Sequence, residues 1–354
     1  MISLRRLFVP VMLTACALLI ALQWQAAAGL RGTEALADYF EISPYATMMV
    51  FLMWCGLPFF RPTQYRSYVP SKAAVAIFRD RWPLLLFPFL LTPIFNASYT
   101  IAKSSIPYLF GYHWEDYCAH LDQLLFGEDP WRITHAFIGP GATRALSIVY
   151  TVGWGALFVL MGPILNFYAK SDTALRFHTA RMIIWFFGGV LAAAIFSSAG
   201  PAFAQYGDPQ LGVKFVPLLH SLARLLPPDD VILASQAYLR ETRGNGEVFQ
   251  AGGISAMPSM HVATAALYIC VAWRTRFRWA AVAFWMMIWV ASVHFGYHYA
   301  VDGLAGSLIA WLAWLATAPS RATSVTRSHD ARRSGQAPQP AFPLQGKGAA
   351  VSAS

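Results

Sequence analysis

The chain has 354 residues, of which 57% are hydrophobic and only 12% charged, and its mean hydropathy is +0.46. A soluble protein carries roughly a quarter charged residues, so this composition excludes an ordinary soluble domain. The net charge of +9 would suit a nucleic-acid-binding protein, but the basic residues are spread over loops and form no single patch. We therefore predict an all-α, polytopic integral membrane bundle that binds no nucleic acid.

Eight apolar segments are long enough to cross a membrane as helices. They cover approximately residues 8–28, 44–60, 83–102, 145–168, 182–199, 259–273, 279–297 and 300–318. The first also resembles a secretory signal, although we favour an uncleaved helix. We predict an N-terminal helix pair with a basic cytoplasmic loop over 1–80, a catalytic domain with a six-helix core over 81–318, and a disordered cytoplasmic tail over 319–354.

The charged residues predict the topology, because Lys and Arg accumulate in cytoplasmic loops. With the N-terminus inside, the inner segments hold 18 of the 26 basic residues and only 3 of the 17 acidic ones. The long loops 103–144 and 200–257 then lie outside, and loops of this length are usually functional or disordered. Their aromatic content favours order. Residues 211–226 could form either a lid on the membrane surface or a packed connecting helix.

Two short segments place histidines on this outer face. They are Met257-Pro258-Ser259-Met260-His261 and His298-Tyr299-Ala300-Val301-Asp302. At 1.5 Å per residue, His298 lies about 30 Å from Arg278, which is a full hydrocarbon thickness. His261 follows the outer end of a span that runs the other way. Asp302 comes four residues after His298, so on a helix the two side chains would share a face.

These residue types suit phosphoryl transfer. A carboxylate beside an imidazole fixes its tautomer and leaves the far nitrogen as a nucleophile or base, and a second histidine can protonate a leaving oxygen. Pro258 suits the first position of a helix, whose N–H groups could bind phosphate. The simpler alternative is that the histidines only make interhelical hydrogen bonds. His294 lies four residues before His298 and would allow a metal-binding face, but no further ligand motif accompanies it and we expect no metal.

The two histidine segments, the second followed by Gly303-Leu304-Ala305-Gly306, resemble the second and third signature motifs of the type-2 phosphatidic acid phosphatase superfamily. Outer-loop segments resemble its inositol phosphorylceramide synthase branch. These segments are Lys103-Ser104-Ser105-Ile106-Pro107, residues 122–131, and Gly200-Pro201-Ala202-Phe203. The resemblance covers roughly residues 80–318. It implies that His298 attacks phosphorus to form a phosphohistidine, that Asp302 orients it and that His261 protonates the leaving group, with no metal or other cofactor.

The chain departs from the wider superfamily pattern at three places. Met260 replaces the usual glycine before the first histidine, and Ser292 stands where an arginine is expected six residues before the second. The Lys–Arg–Pro element of the first motif is not evident. Because this phosphate clamp is missing, the candidate substrate-binding residues, besides Ser259 in the second motif, are basic residues of the outer loops: Lys103, Arg240 and Arg243.

We therefore expect an enzyme of the bacterial plasma membrane with its active site on the periplasmic or extracellular face. It would transfer a phosphoryl or phospho-head group from a phospholipid or sphingolipid to a lipid alcohol. A first alternative is hydrolysis of a lipid phosphate or pyrophosphate. A second is a membrane transporter or scaffold, which the scarcity of charges within the spans disfavours. Membrane lipids are the other expected partners, and no oligomeric state is predicted.

Overall fold

Helices account for the architecture of the protein in a computed structural model that describes residues 4–31, 34–60, 81–243, 245–248 and 252–318. These described residues form thirteen α-helices and no strand, which confirms the prediction of an all-α protein for this part of the chain. Most of the predicted basic loop before residue 81 and the predicted tail from residue 319 lie outside the described residues.

The helices are, in chain order, α1 Phe8–Ala28, α2 Glu34–Phe60, α3 Arg81–Leu109, α4 Glu115–Phe126, α5 Pro130–Phe137, α6 Pro140–Tyr168, α7 Ser171–Ile195, α8 Pro209–Lys214, α9 Val216–Leu225, α10 Val231–Thr242, α11 Met260–Ala272, α12 Arg278–His294 and α13 Ala300–Ala316. In the described residues, α1 with its preceding turn, α3, α6 and α7 are long and apolar enough to cross a membrane, while α11 and α13 are shorter apolar helices. The protein is therefore an integral membrane protein.

Each of the eight predicted spans coincides with one of these helices, but several boundaries differ. Helices α6 and α7, for example, begin five and eleven residues before their predicted spans. Helix α2 begins ten residues before the predicted span. Helix α3 continues to Leu109, so Lys103 lies in a membrane helix, and its assignment to an outer loop was wrong. The helix continues because this stretch packs into the bundle, where the side chains of Ile101, Ala102 and Ile106 are buried.

The close approach of α11 and α13 brings the two histidine segments together. A Cβ atom at Gly306 in α13 would lie 2.4 Å from the carbonyl oxygen of Ser259, so a side chain here would force the helices apart. At the same crossing the backbone N–H of Ser259 donates to the carbonyl oxygen of Asp302 at 3.0 Å. The glycine therefore allows the start of α11 to lie directly against the first turn of α13.

The two long loops that the sequence predicts on the outer face form short helices over much of their described residues. Residues 211–226 form most of α8 and all of α9, and Leu218 and Leu222 of α9 are fully buried in a cluster that includes Phe295. Val213 and Val216, on the other face, are exposed. This packing supports the connecting-helix interpretation of the segment over the lid.

Candidate active site

A cavity of about 470 Å³ opens among α2, α3, α6, α7 and α11 and includes the turn that carries His298. His261 and His298 both line it, as does Lys103. Each of the long helices α3, α6 and α7 contains a π-helical turn, over Phe87–Leu91, Val149–Gly153 and Ile184–Ala192 respectively. Each of these turns contributes lining residues. Such turns widen a helix locally and are frequent at functional sites.

The geometry of His298 defines its tautomer. Its Nδ1 lies 2.8 Å from the carbonyl oxygen of Ala256 and 3.4 Å from Oδ2 of Asp302. Both partners are acceptors, so Nδ1 carries the proton. Nε2 then holds a lone pair, and it has no hydrogen-bond partner among the described residues. This is the arrangement required of a nucleophilic imidazole.

The contact between His298 and Asp302 is made differently from the prediction. Helix α12 ends at His294 and α13 begins at Ala300, so His298 lies in the connecting turn and not on a shared helical face. The turn is closed by Asp302, whose Oδ2 accepts the backbone N–H of Tyr299 at 2.9 Å. One carboxylate oxygen thus fixes both the turn and the imidazole.

His261 lies between two aromatic rings of α6. Tyr150 stacks on it at a centroid distance of 4.8 Å and an angle of 12°, and Trp154 covers it at 3.9 Å. The indole N–H of Trp154 also donates to the carbonyl oxygen of His261 at 3.1 Å. These contacts fix the position and orientation of the imidazole ring. The ring centroids of His261 and His298 are 6.4 Å apart.

Asp122 of α4 fixes the first turn of α13. Its two carboxylate oxygens accept the backbone N–H groups of Ala300 at 2.7 Å and Val301 at 2.9 Å, and the side chain is buried. Burial raises the pKa of Asp122 to about 7, while these two hydrogen bonds lower it. The carboxylate satisfies two N–H groups that have no acceptor within their own helix. It therefore positions the turn immediately after His298.

Glu115, at the other end of α4, holds the same turn and a second loop. It accepts the backbone N–H groups of Ala199 at 2.6 Å and Gly200 at 3.0 Å, and the hydroxyl of Tyr299 at 2.8 Å. Burial raises the pKa of Glu115 to about 7, and its hydrogen bonds oppose that shift. Gly200 has a φ of +88°, and a Cβ there would lie 2.4 Å from the carbonyl oxygen of Tyr297. Glycine therefore permits this tight packing.

Pro258 and Ser259 immediately precede the first residue of α11. The helix begins at Met260, and Ser259 is its N-cap, with a side-chain oxygen that accepts the N–H of Val262 at 3.4 Å. Pro258 therefore precedes the cap, and the prediction that it occupies the first helical position was wrong. Because Ser259 occupies the cap, the first N–H groups of α11 belong to Met260 and His261, both of which line the cavity.

The three basic candidates are not equivalent. Lys103 lines the cavity, and its charge acts on both imidazole rings. Arg240 is half-buried, with its guanidinium 5.5 Å from the Phe203 ring. Arg243 is exposed, with its guanidinium 4.0 Å from the Tyr206 ring. Of the three, Lys103 is thus the one that the structure brings into the cavity with the histidines.

His294 belongs to a separate polar network. Its ring nitrogens lie 3.1 Å from the hydroxyl of Thr134 and 3.0 Å from that of Thr143. His135 donates to the carbonyl oxygen of His294 at 2.8 Å, and burial lowers the pKa of His135. Within the ranges that the structure describes, no three His, Cys, Asp or Glu side chains are grouped for a metal ion. The network links α5, α6 and α12.

Four residues of this site lay outside the predicted set: Glu115, Asp122, Tyr150 and Trp154. Asp122 begins the segment 122–131 that resembles the synthase branch, and Glu115 lies in the same predicted loop, but neither was assigned a role. Their partners are backbone N–H groups of distant segments, which carry no sequence signature. Tyr150 and Trp154 share one face of α6 by their spacing, yet their position within an apolar span gives no sign of which ring they cover.

The chain matches the family model of the PAP2 superfamily over residues 119–316, more than half of its length. It therefore belongs to the PAP2 superfamily, whose members are phosphoesterases and phosphotransferases. The matched region includes both histidine motifs and Asp122, while Glu115 and Lys103 precede it. No curated protein and no solved structure matched the chain. The match confirms the resemblance at the level of the superfamily and does not distinguish the inositol phosphorylceramide synthase branch.

Asp122→Asn should lower the activity of the site while the protein still folds. An asparagine offers one oxygen where the carboxylate offers two, so an NH₂ group would face the N–H of Ala300 or Val301. The turn carrying His298 would shift, and a displacement of 1 Å at a reacting group lowers the rate about 100-fold. We expect a fall in kcat/KM of about 10- to 100-fold, measured as turnover of a lipid phosphoester in nanodiscs.

Asp208→Asn is the matched control. Asp208 is the N-cap of α8, where a single oxygen, Oδ1, accepts the N–H groups of Gln210 and Leu211. An asparagine keeps that oxygen, so activity and thermal unfolding should stay near wild type. Equal activity of the Asp122 variant and the wild type would contradict the positioning role of Asp122.

Proposed function

We propose that the protein is a membrane enzyme that transfers a phosphoryl or phospho-head group of a lipid, through a phosphohistidine at His298, to a lipid alcohol. One observation carries the proposal. The unpartnered Nε2 edge of His298 and the ring of His261 line the same cavity with their centroids 6.4 Å apart. A nucleophile lies about 3 to 3.5 Å from the atom that it attacks, and a proton passes between heavy atoms about 2.6 to 3.2 Å apart. Two imidazole rings at this separation are therefore close enough to act on one phosphoryl group.

In the first step the lone pair on Nε2 of His298 forms a bond to phosphorus, and the bond from phosphorus to the leaving oxygen breaks. Positive charge develops on the imidazole, and Asp302 stabilises it from Nδ1 at 3.4 Å. Protonated His261 gives its proton to the leaving oxygen. The aromatic rings of Tyr150 and Trp154 keep His261 in place for that transfer.

In the second step an alcohol oxygen attacks phosphorus, and the bond from phosphorus to Nε2 breaks. The alcohol proton passes to His261, which returns to its protonated form, and His298 returns to its neutral state. Water in place of the alcohol gives hydrolysis by the same sequence of bonds, so one site serves both reactions.

Phosphate binding in this proposal depends mainly on Lys103. A lysine is a compact charge that suits phosphate oxygens, and this one lines the cavity with both histidines. The first N–H groups of α11, positioned by the Ser259 cap, add hydrogen-bond donors and a favourable helix dipole. Arg240 and Arg243 would act farther out, where their charges would attract an anionic head group towards the site. Each guanidinium is held against an aromatic ring.

The walls of the cavity favour an alcohol acceptor over water. Most of the lining side chains are apolar or aromatic, including Tyr150, Trp154 and Trp185. A cavity of this kind limits access of water and admits a lipid chain. Together with the outer-loop segments that resemble the inositol phosphorylceramide synthase branch, this supports transfer. The charge distribution supports an active site on the outer face of a bacterial plasma membrane.

Two substrates that differ only in their leaving group distinguish the roles of the two histidines. A p-nitrophenyl ester of an alkyl phosphate leaves without protonation, so its first step should not require His261. We expect His261→Gln to release p-nitrophenolate in a burst of about one equivalent and then stall, while turnover of the corresponding alkyl ester falls about 10²- to 10⁴-fold. His298→Ala should show neither burst nor turnover.

His120→Ala provides the control, because His120 is an exposed histidine of α4, and it should behave as wild type. If the His298 variant gave a normal burst, or the His261 variant lost the burst, the assigned roles would be wrong.

The fate of the transferred group distinguishes the two reactions. Membranes supplied with a labelled phospholipid and either ceramide or diacylglycerol should yield a new labelled lipid on thin-layer chromatography. The labelled lipid should increase with the acceptor concentration, because the acceptor competes with water for the phosphohistidine. Free phosphate or free head group as the sole product would contradict the transferase and leave the hydrolase.

A further inference from the structure

The cavity extends well beyond the histidines. Lys103 at one end and Thr92 at the other both line it, and both belong to the α-helical part of α3. They are eleven residues apart, which corresponds to about 16 Å along the helix axis. Half the hydrocarbon thickness of a membrane is about 15 Å. A lipid chain that starts at the histidines would therefore reach Thr92 at about the level of the membrane midplane.

A buried cation lies at this deep end. Arg181 of α7 is 7% exposed and lines the cavity. Its Nη2 donates to the hydroxyl of Thr92 at 3.2 Å, and its Nη1 lies 3.4 Å from the carbonyl oxygen of Phe158. No carboxylate within the described part of the chain pairs with it. An arginine has five N–H donors, and a buried cation without an anionic partner is unfavourable. Ligand oxygens would supply the missing acceptors.

Other polar groups on the cavity wall lead to Arg181. Thr92, Asn96 and Thr100 recur every four residues on α3, so they share one face, and all three line the cavity. The Asn96 amide has no hydrogen-bond partner among the described residues. Thr92 accepts from Arg181 and Thr100 pairs with the hydroxyl of Tyr39 at 2.8 Å, so Asn96 is the member of this row left to bind a ligand. A cavity built only for an alkyl chain would not present an unsatisfied amide, because it weakens an apolar site. Mainly apolar walls with a few placed polar groups indicate selection for an oxygen-bearing ligand.

His178 completes the deep end. Its Nε2 is 2.9 Å from Oδ1 of Asn166, its ring stacks on Phe87 at 4.2 Å, and its Nδ1 is buried without a partner in the described residues. Gly162 of α6 gives the ring room, since a Cβ there would lie 2.9 Å from it. The ring forms part of the cavity wall.

We infer that Arg181, with Thr92 and Asn96, forms a subsite for a hydroxyl or carbonyl oxygen on the hydrocarbon chain of the lipid substrate, about 16 Å from its phosphorus. This inference rests on the proposed function only in assuming that the phosphate binds at the end of the cavity that holds the two histidines. It makes the enzyme selective for lipids whose chain is oxygenated near the membrane midplane. The guanidinium donates to that oxygen while the rest of the chain contacts the apolar walls.

Two non-hydrolysable probes test this directly: dodecyl phosphonate and 12-hydroxydodecyl phosphonate, titrated against the full-length protein in nanodiscs. A hydrogen bond to a charged donor strengthens binding by about tenfold or more, so wild type should bind the hydroxylated probe at least about tenfold more tightly. Arg181→Met should remove this preference and leave the affinity for dodecyl phosphonate unchanged. Equal affinities of wild type for the two probes would overturn the subsite, even if no variant folds.

Arg176→Met is the matched control. Arg176 lies on the same helix, but its guanidinium stacks 3.5 Å from the Trp314 ring, so this variant should keep the preference. An Arg181 variant that weakens both probes equally would show a purely structural role and would also overturn the proposal. Because the phosphonates are bound and not turned over, the result is independent of catalysis. Turnover of dodecyl phosphate by the same samples tests the proposed function separately.

Discussion

Two buried carboxylates of helix α4 hold in place the turn that carries His298. Glu115 and Asp122 of α4 together accept four backbone N–H groups and the hydroxyl of Tyr299. Those N–H groups belong to the loop at Ala199 and Gly200 and to the first turn of α13, where they have no acceptor within their own helix and an unsatisfied buried group is costly. Carboxylates satisfy them with short, charge-assisted hydrogen bonds. The position of His298, and therefore any chemistry at its Nε2, depends on this helix together with the direct contacts to Asp302 and Ala256.

The cavity joins a chemically reactive end to a long, mainly apolar interior. The reactive end takes His261 from α11, His298 from the turn before α13 and Lys103 from α3. The interior is also bounded by Tyr39 and Ile42 of α2, which, like α3, precedes the region matched to the superfamily. The N-terminal helices thus form part of the cavity wall. Differences in these helices would change which lipid chain fits without altering the histidines.

The sequence predicted the parts of this arrangement that depend on hydropathy and charge. Eight apolar spans and the distribution of Lys and Arg placed His261 and His298 on one face, and the spacing of Asp302 from His298 indicated a pair. Contacts between distant backbone segments were not predictable. The role of α4 and the extension of α3 through Lys103 depend on tertiary hydrogen bonds and packing. Nor did the charge pattern, which counted Arg181 among the basic residues of the inner side, indicate that its side chain lines the cavity.

Covalent catalysis at His298 is the central claim, and trapping the intermediate tests it most directly. The purified enzyme in nanodiscs would be mixed with a lipid labelled with ³²P in its phosphate and quenched within one turnover. The account predicts acid-labile, base-stable label on the peptide that carries His298 and none in His298→Ala. Label on His261 instead, or no label on a quenched enzyme that is turning over substrate, would contradict it.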